Sequence, residues 1–231
     1  MSDLTMPAAA PQDEPLKGNA ADTVSLGKGI GIILLVTVLL AGIGMGAGKY
    51  FFWNRYDTGS KLEREFKDNM DRVKADPTNP LNHVQLGWDY YLLNKNDAAV
   101  GEFKKALSLD PRNYAAFYDE GLAYMNLKNF DQAAESLKSA VQIVPNAFPP
   151  HLNLAISYFK LAKYDDALKE LSLAYKANPG SPETMYWRGM VYEKQGKFKD
   201  AQQEYQTAVN FDPGYKDARD AYARVSRLVK N

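Results

Sequence analysis

Proline recurs every 34 residues along most of this 231-residue chain, at Pro77, Pro111, Pro145, Pro179 and Pro213. The residues that share this spacing are Gly87, Gly121, Ala155 and Gly189; Tyr90, Tyr124, Tyr158 and Tyr192; Ala99, Ala133, Ala167 and Ala201; Ala106, Ala140, Ala174 and Ala208; and the bulky Phe103, Leu137, Leu171 and Tyr205. A repeat of this length is one supersecondary unit that buries its apolar face against its neighbours, so the chain is predicted to form a stacked array.

The residue types at these positions favour paired helices. Proline lacks the amide donor, so each recurring proline is predicted to end the second helix of a pair. Ser181, Pro182 and Glu183 then supply an N-cap, a first-turn proline and an acid near the positive end of the next helix dipole. The small residues of the Gly87 series are predicted to face the alanines of the Ala99 series, so that the two helices approach closely.

With these residues in place, the pattern resembles the tetratricopeptide repeat over about 60% of the chain. The resemblance implies two antiparallel helices per repeat, stacked into a right-handed superhelix with a concave inner face. We therefore predict an all-α solenoid with four helix-turn-helix repeats, at residues 80–113, 114–147, 148–181 and 182–215. Three positions depart from the family pattern. The leucine position holds Glu120 and Arg188, and the bulky apolar position before it holds His83 and His151. Repeat one also has Asn96 where the later repeats have Phe130, Tyr164 and Phe198.

Helices are also predicted at both ends of the array. Residues 54–79 place Leu62, Phe66, Met70 and Val73 on one helical face, and we interpret them as a juxtamembrane helix that forms a half-repeat cap. Residues 216–231 place apolar residues opposite a face rich in lysine and arginine. A terminal helix that meets solvent on one side needs this pattern, so a C-terminal capping helix is predicted.

The N-terminal part of the chain has a different character. Residues 1–28 mix alanine, proline and acidic residues with little apolar periodicity, which predicts a disordered tail. Residues 29–48 carry no charge, and a helix of 20 residues spans about 30 Å, the thickness of a hydrocarbon core. Lys49 and the aromatics at 50–53 suit the headgroup region, so residues 29–53 are predicted to form a transmembrane helix with an aromatic belt. A cleaved signal segment and a buried soluble helix are the alternatives.

Two features of this span concern its surroundings. Lys17 and Lys28 precede the span, whereas five lysines and arginines follow it closely at Lys49, Arg55, Lys61, Arg64 and Lys67. This bias favours a cytoplasmic repeat domain, and the extracytoplasmic side is nearly as well supported because short N-terminal tails often stay inside. The spacing of Gly42 with Gly46 and of Gly44 with Gly48 predicts close helix packing in the membrane, and hence a homodimer.

The composition excludes several chemistries. The chain has no cysteine, which excludes disulfides, zinc–thiolate sites and cysteine nucleophiles, and its 28 basic residues balance 28 acidic ones, unlike a nucleic-acid binder. His83 and His151 occupy equivalent positions two repeats apart and are predicted to have packing roles. The glycine-rich stretch at 42–48 lacks the βαβ context of a dinucleotide site. We therefore predict no enzyme activity, no metal and no cofactor.

The expected working surface is the concave groove. In the family, residues 2, 5, 9 and 12 of each first helix line this groove. Carried over to this chain, they predict a largely aromatic and aliphatic partner-binding site of Val84, Trp88, Tyr91, Tyr118, Leu122, Met125, Leu152, Ile156, Phe159, Tyr186 and Met190. Several of these residues could instead be buried between repeats, and Glu193 adds charge. Val84 and Trp88 replace the lysine and asparagine of the family's carboxylate clamp, which argues against an acidic chaperone tail as the ligand.

These observations predict a membrane-anchored scaffold or adaptor that binds a peptide or helix of a partner protein in its groove. Such a protein would contact membrane lipid through residues 29–53 and could assist assembly of a membrane or envelope complex. One alternative is a structural, self-associating membrane protein whose groove is filled by its own tail or by a neighbour. Another is an accessory subunit of an enzyme or sensor complex.

Overall fold

The computed structural model describes residues 58–229 and consists there of ten α-helices joined by short turns. Helix α1 (Thr58–Ala75) comes first and α10 (Lys216–Val229) comes last. Between them lie four helix pairs: α2 (Pro80–Leu92) and α3 (Asn96–Leu109), α4 (Tyr114–Asn126) and α5 (Phe130–Ile143), α6 (Phe148–Lys160) and α7 (Tyr164–Ala177), and α8 (Pro182–Lys194) and α9 (Phe198–Phe211). The predicted all-α solenoid of four helix pairs is thereby confirmed for this part of the chain.

The helices stack in chain order. Each first helix packs against the second helix of its own pair, and each second helix packs against the first helix of the next pair. Successive first helices α2, α4, α6 and α8 also contact one another, while α9 packs against α10. Since each pair contacts mainly its neighbours, the core is a row of small clusters rather than one centre.

Capping residues mark where the first helices begin. The side chains of Asn79, Asn113 and Ser181 accept hydrogen bonds from backbone amides in the first turns of α2, α4 and α8. Proline lies in the first turn of α2, α6 and α8, where its missing amide leaves no hydrogen bond unmade. The turns inside the pairs are also equivalent, because each contains one residue with positive φ: Asn94, Lys128, Ala162 and Gly196.

The glycines of the first helices allow a large side chain to cross the pair. A Cβ atom at Gly87 would lie 2.6 Å from the Phe103 ring, and the same separation relates Gly121 to Leu137. The nearest neighbours of this glycine series are therefore the bulky residues of the second helices. The alanines of the Ala99 series, which we expected to face these glycines, are fully buried within the pairs.

Histidine pairs link helices in repeats one and three. Nδ1 of His83 lies 2.7 Å from the Glu102 carboxylate, and its Nε2 lies 2.9 Å from the carbonyl oxygen of Pro77. His151 makes the same two contacts, with Glu170 and Pro145. Each histidine thus joins both helices of its repeat to the turn before it, in agreement with the predicted packing role.

Repeats two and four place their polar pairs at a different position. The Ser136 hydroxyl donates to the Glu120 carboxylate at 2.7 Å, and the Arg188 guanidinium lies 3.0 Å from the Glu204 carboxylate. Glu120 and Arg188 are the two residues that depart from the leucine of the family motif. Their partners occupy the same register position on the second helix as Glu102 and Glu170, so each departure has a matching partner across the pair.

None of the helices within residues 58–229 is long and apolar enough to cross a membrane. The predicted disordered tail at 1–28 and the predicted transmembrane helix at 29–53 lie outside the described residues. The same holds for the proposed packing residues Gly42, Gly44, Gly46 and Gly48.

Candidate functional site

The candidate site is the first-helix face, the surface formed by α2, α4, α6 and α8. Direct contacts join these helices side by side. The Asn153 amide of α6 donates to the Tyr118 hydroxyl of α4 at 3.2 Å, and the Phe159 ring of α6 meets the Trp187 ring of α8 edge-on at 5.4 Å. The predicted groove residues therefore lie on adjacent helices.

The predicted groove residues differ in how much solvent they meet. Trp88 is the most accessible, with 37% of its surface exposed, whereas Val84, Leu152 and Phe159 are buried between repeats and are exposed by less than 10%. The remaining seven are half-buried: Tyr91, Tyr118, Leu122, Met125, Ile156, Tyr186 and Met190. The three buried residues stabilise the stack, and a partner would meet the other eight.

Aromatic rings dominate both ends of this surface. Trp88 stacks on Tyr91 with their centroids 5.0 Å apart, and Tyr114 stacks on Tyr118 at 6.1 Å. At the other end Tyr186 contacts Tyr215 at 5.3 Å. Such paired rings offer large, rigid contact areas that lose little side-chain entropy on binding.

The residue that follows each central groove position also reaches this surface. These residues are Gln85, Asp119, Asn153 and Trp187, none of which was predicted to line the groove. They lie one residue after Val84, Tyr118, Leu152 and Tyr186, about 100° further round the helix. Their common 34-residue spacing was a signal that could have identified them.

A cavity of about 400 Å³ lies at the N-terminal end of the face. Its lining comes from α1, α2 and α4: Glu65, Asp68, Asn69, Arg72, Val84, Gln85, Trp88, Asp89 and Asp119. The Asn69 amide donates to the Asp89 carboxylate at 2.7 Å, and the Arg72 guanidinium donates to the Gln85 side chain at 3.2 Å. The cavity is thus mainly acidic, with a tryptophan at its edge.

Burial alters two carboxyl groups in this cavity. It raises the pKa of Asp119 from 3.8 to about 7. It also raises the pKa of Asp89, an effect that the hydrogen bond from Asn69 opposes and the nearby Glu65 charge reinforces. A buried carboxylate without a cation favours the neutral form, so a cationic side chain entering the cavity would be stabilised by these groups.

The C-terminal end of the face is closed by internal contacts. Arg224 of α10 donates two hydrogen bonds to the Glu193 carboxylate, from Nε at 3.1 Å and from Nη2 at 2.8 Å. The Tyr205 hydroxyl donates to the same carboxylate at 2.7 Å. Burial favours a higher pKa for Glu193, but the hydrogen bonds from Arg224 and Tyr205 outweigh it and lower that pKa. Glu193, whose charge was predicted to lie in the groove, therefore attaches the capping helix α10.

A second cavity of about 370 Å³ lies between α3, α4 and α5, away from the predicted groove. Its lining includes the buried Glu120, the Ser136 that donates to it, and Lys104. Burial raises the pKa of Glu120, partly against the hydrogen bond from Ser136. Within residues 58–229, no group of three or more His, Cys, Asp or Glu side chains is arranged to hold a metal ion.

The family profile for the tetratricopeptide repeat matches residues 84–148 and 152–219, which together form more than half of the chain. The chain belongs to the tetratricopeptide repeat family. A second tetratricopeptide repeat profile matches residues 127–174, across the middle of the array. No curated protein matches the chain significantly.

Solved structures share this tetratricopeptide fold. The crystal structure of MamA superposes with a TM-score of 0.64 at 20% identity, covering 70% of this chain and 95% of that protein. YrrB, described as a TPR protein with an unusual peptide-binding site, gives 0.64 at 21% identity, covering 74% and 88%. A thermophilic TPR protein of Thermus thermophilus, TTC0263, gives 0.57 at 22% identity, covering 74% and 93%. At these identities the likeness concerns the fold alone.

Proposed function

We propose that this chain is a protein-interaction scaffold that binds a peptide or helix of a partner protein on its first-helix face. The observation that carries the proposal is the row of half-buried aromatic and aliphatic side chains on adjacent first helices, with the exposed Trp88–Tyr91 stack at one end. An apolar surface rimmed by polar residues favours protein association, and tetratricopeptide repeats build such surfaces from stacked helices. The peptide-binding site named for the structurally similar YrrB is in keeping with this function.

The central part of the face suits an apolar or amphipathic segment. Tyr118 and Leu122 on α4, Ile156 on α6 and Met190 on α8 are half-buried, so they keep some surface for a partner while they remain anchored in the stack. None of the predicted groove residues is a lysine or an arginine, so they offer no cation that could hold a carboxylate. A segment that brings two or three apolar side chains would bury the most surface here.

Photocrosslinking in the producing cells tests this function. We expect a photoreactive benzoylphenylalanine in place of Tyr118 or Leu122 to form a specific adduct with one or a few proteins. The same group at Tyr175, an exposed tyrosine on the second helix α7, is the matched control and should not form these adducts. Identical adducts at Tyr118 and Tyr175, or none at Tyr118 and Leu122, would contradict binding on the first-helix face.

The scaffold is further proposed to be held at a membrane by residues 29–53. The support is the sequence itself: 20 uncharged residues lie between Lys28 and Lys49, followed by aromatics suited to a membrane interface. Fractionation before and after high salt or carbonate extraction tests the anchor. Release of the full-length chain into the soluble fraction by either treatment would contradict it.

The side of the membrane can be tested with one cysteine, because the chain has none of its own. Ser108→Cys places a thiol at an exposed position on α3. If the repeat domain is cytoplasmic, as the lysine and arginine bias favours, an impermeant maleimide should label this thiol only after the cells are permeabilised. Labelling in intact cells would place the domain on the opposite side.

Self-association through the membrane segment is a separate part of the proposal. Small residues four apart, Gly42 with Gly46 and Gly44 with Gly48, would allow two membrane helices to approach closely. Gly46→Ile should then reduce the oligomer size measured by light scattering in a mild detergent. An unchanged size would show that any oligomer forms elsewhere.

A further inference from the structure

Helix α1 has the register of a second helix but no first helix before it in the described chain. Adding one period of 34 residues to Asp68, Asn69 and Arg72 gives Glu102, Phe103 and Ala106. In repeat one these three residues are buried, and the first two meet the first helix directly: Glu102 at His83, and Phe103 at Gly87. The face of α1 that carries Asp68, Asn69 and Arg72 is therefore the face that a complete repeat covers with a first helix.

The neighbouring face of α2 is also one that the later repeats cover with the first helix of the preceding repeat. Gln85 is equivalent to Asn153 and Trp187, which contact the preceding first helix through Tyr118 and Phe159. Asp89 is equivalent to Ala123, Ser157 and Val191, which are completely buried. The cavity of about 400 Å³ is bounded by both faces, so it lies where the first helix of a preceding repeat would pack.

The path of α1 differs from that of the other second helices at its N-terminal end. In repeat one, residues 93–95 form the turn that reverses the chain between α2 and α3. The equivalent residues of α1, 59–61, are helical, because α1 begins at Thr58 and continues without a break. The reversing turn that precedes every other second helix is thus replaced here by helix.

The lining of the cavity indicates what kind of helix would fit. Glu65 is equivalent to Ala99, Ala133, Ala167 and Ala201, so an acid stands where complete repeats bury an alanine. Further acidic groups come from Asp68, Asp89 and Asp119. Among the residues of 58–229 that line the cavity, Arg72 is the only basic one. The exposed Trp88 ring adds a face that favours cations. An occupant with lysine or arginine would complement this surface, whereas an acidic one would be repelled.

We propose that an amphipathic helix of a partner protein, carrying lysine or arginine on its polar side, docks in this cavity and completes the half-repeat that begins with α1. The helix takes the place of a first helix, with apolar side chains toward Trp88 and cationic side chains toward Glu65, Asp68 and Asp119. This inference rests on the proposed scaffold function and assigns one end of the first-helix face to a partner of stated chemistry.

A synthetic helix provides the test on the full-length chain in a non-ionic detergent. The probe is a fluorescein-labelled peptide of 13 residues, the length of α2, with a leucine stripe and four lysines, and it is compared with the same peptide carrying four glutamates. Fluorescence anisotropy should show binding of the lysine peptide and none of the glutamate peptide. Binding should weaken as salt is raised.

Variants of α1 locate the binding. Glu65→Gln with Asp68→Asn removes two charges from the cavity and should weaken binding of the lysine peptide about tenfold. Glu63→Gln with Asp71→Asn removes two charges from exposed positions of the same helix that do not line the cavity, and should leave the affinity within about twofold. Equal losses in both double variants, or no loss in the first, would overturn the proposal.

Two further outcomes distinguish other occupants. A disulfide that forms within one chain between Trp53→Cys and Asp68→Cys would assign the cavity to residues before α1 and overturn the proposal. A dimer that dissociates only in the Glu65→Gln, Asp68→Asn variant would assign it to a second copy, with the same consequence. Crosslinking from Leu122 is independent of the cavity, so a specific adduct there together with failure of these tests would reject this inference and leave the scaffold function standing.

Discussion

Nδ1 of His151 lies 2.7 Å from Oε2 of Glu170, while Nε2 of the same ring lies 2.8 Å from the carbonyl oxygen of Pro145. Both ring nitrogens therefore face acceptors, and the imidazole is almost completely buried, with 1% of the residue exposed. The ring therefore contacts the carboxylate and the carbonyl together at hydrogen-bond distance. The pair joins the two helices of repeat three and holds them against the end of repeat two.

Replacing His151 by alanine should therefore destabilise the array by about 2–4 kcal/mol, because it leaves a cavity and removes the contacts of the ring with Glu170 and Pro145. Urea unfolding followed by circular dichroism measures the loss. A double-mutant cycle with Glu170→Gln isolates the pair, for which we expect a coupling of about 1 kcal/mol or more. If the two substitutions are additive, the histidine acts by its volume alone.

Two glycines, one tightly packed and one in open space, test how closely the two helices of a pair approach each other. A Cβ at Gly121 would lie 2.6 Å from Leu137, so Gly121→Ala should destabilise the array by about 1–3 kcal/mol. Gly101 lies in α3 with nothing within 4 Å of an added Cβ, so Gly101→Ala should stabilise it by about 0.5–1 kcal/mol. Thermal unfolding of both variants measures the contrast. Stabilisation by both substitutions would show that helix propensity outweighs the contact with Leu137.

The periodic part of this structure could be predicted from the sequence because equivalent residues perform equivalent tasks. The recurring prolines, the small residues and the Phe103 series each repeat four or five times, so the helix pairs follow from pattern alone. The pairing of Glu120 with Ser136 could not be predicted in this way, since it joins two non-periodic residues 16 positions apart.

The candidate site was predicted less completely than the fold. Periodicity identifies which residues point toward the first-helix face, but burial of Val84 and Leu152 depends on how closely adjacent repeats stack. The acidic cavity depends on α1 continuing as a helix where a turn would otherwise occur. In the sequence of α1, Glu65 occupies the position that holds alanine in the later repeats. This difference can be recognised only when the register of α1 is known.

A left-handed residue in repeat three offers a stabilising substitution. Ala162 has a φ of +58° at the turn position where repeat four has Gly196. The Cβ of a left-handed alanine meets the adjacent backbone, which costs roughly 1 kcal/mol, whereas glycine adopts this conformation freely. Ala162→Gly should therefore raise the free energy of unfolding by about 0.5–1 kcal/mol. Ala223→Gly, at an exposed position inside α10, is the control and should lower it by a similar amount.

The acidic cavity predicts a stability that depends on pH. Burial raises the pKa of Asp119 to about 7 in the folded chain, against 3.8 when exposed, so between these values the folded state binds the proton and the unfolded state does not. This contribution makes folding less favourable as pH rises toward 7. Asp119→Asn removes the titrating group, so the variant should match the parent near pH 4 and exceed it by about 1–2 kcal/mol at pH 8.

Unfolding curves across this range measure the Asp119 effect. If the difference in free energy of unfolding between Asp119→Asn and the parent is the same at pH 4 and pH 8, the carboxyl is not destabilised by burial.

The Asp119 carboxyl also affects binding of the proposed ligand. Because a docked cation favours the ionised carboxylate, the affinity for the lysine peptide should rise between pH 6 and pH 8 in the parent chain. In Asp119→Asn that rise should be lost, since the asparagine has no proton to release when the cation enters.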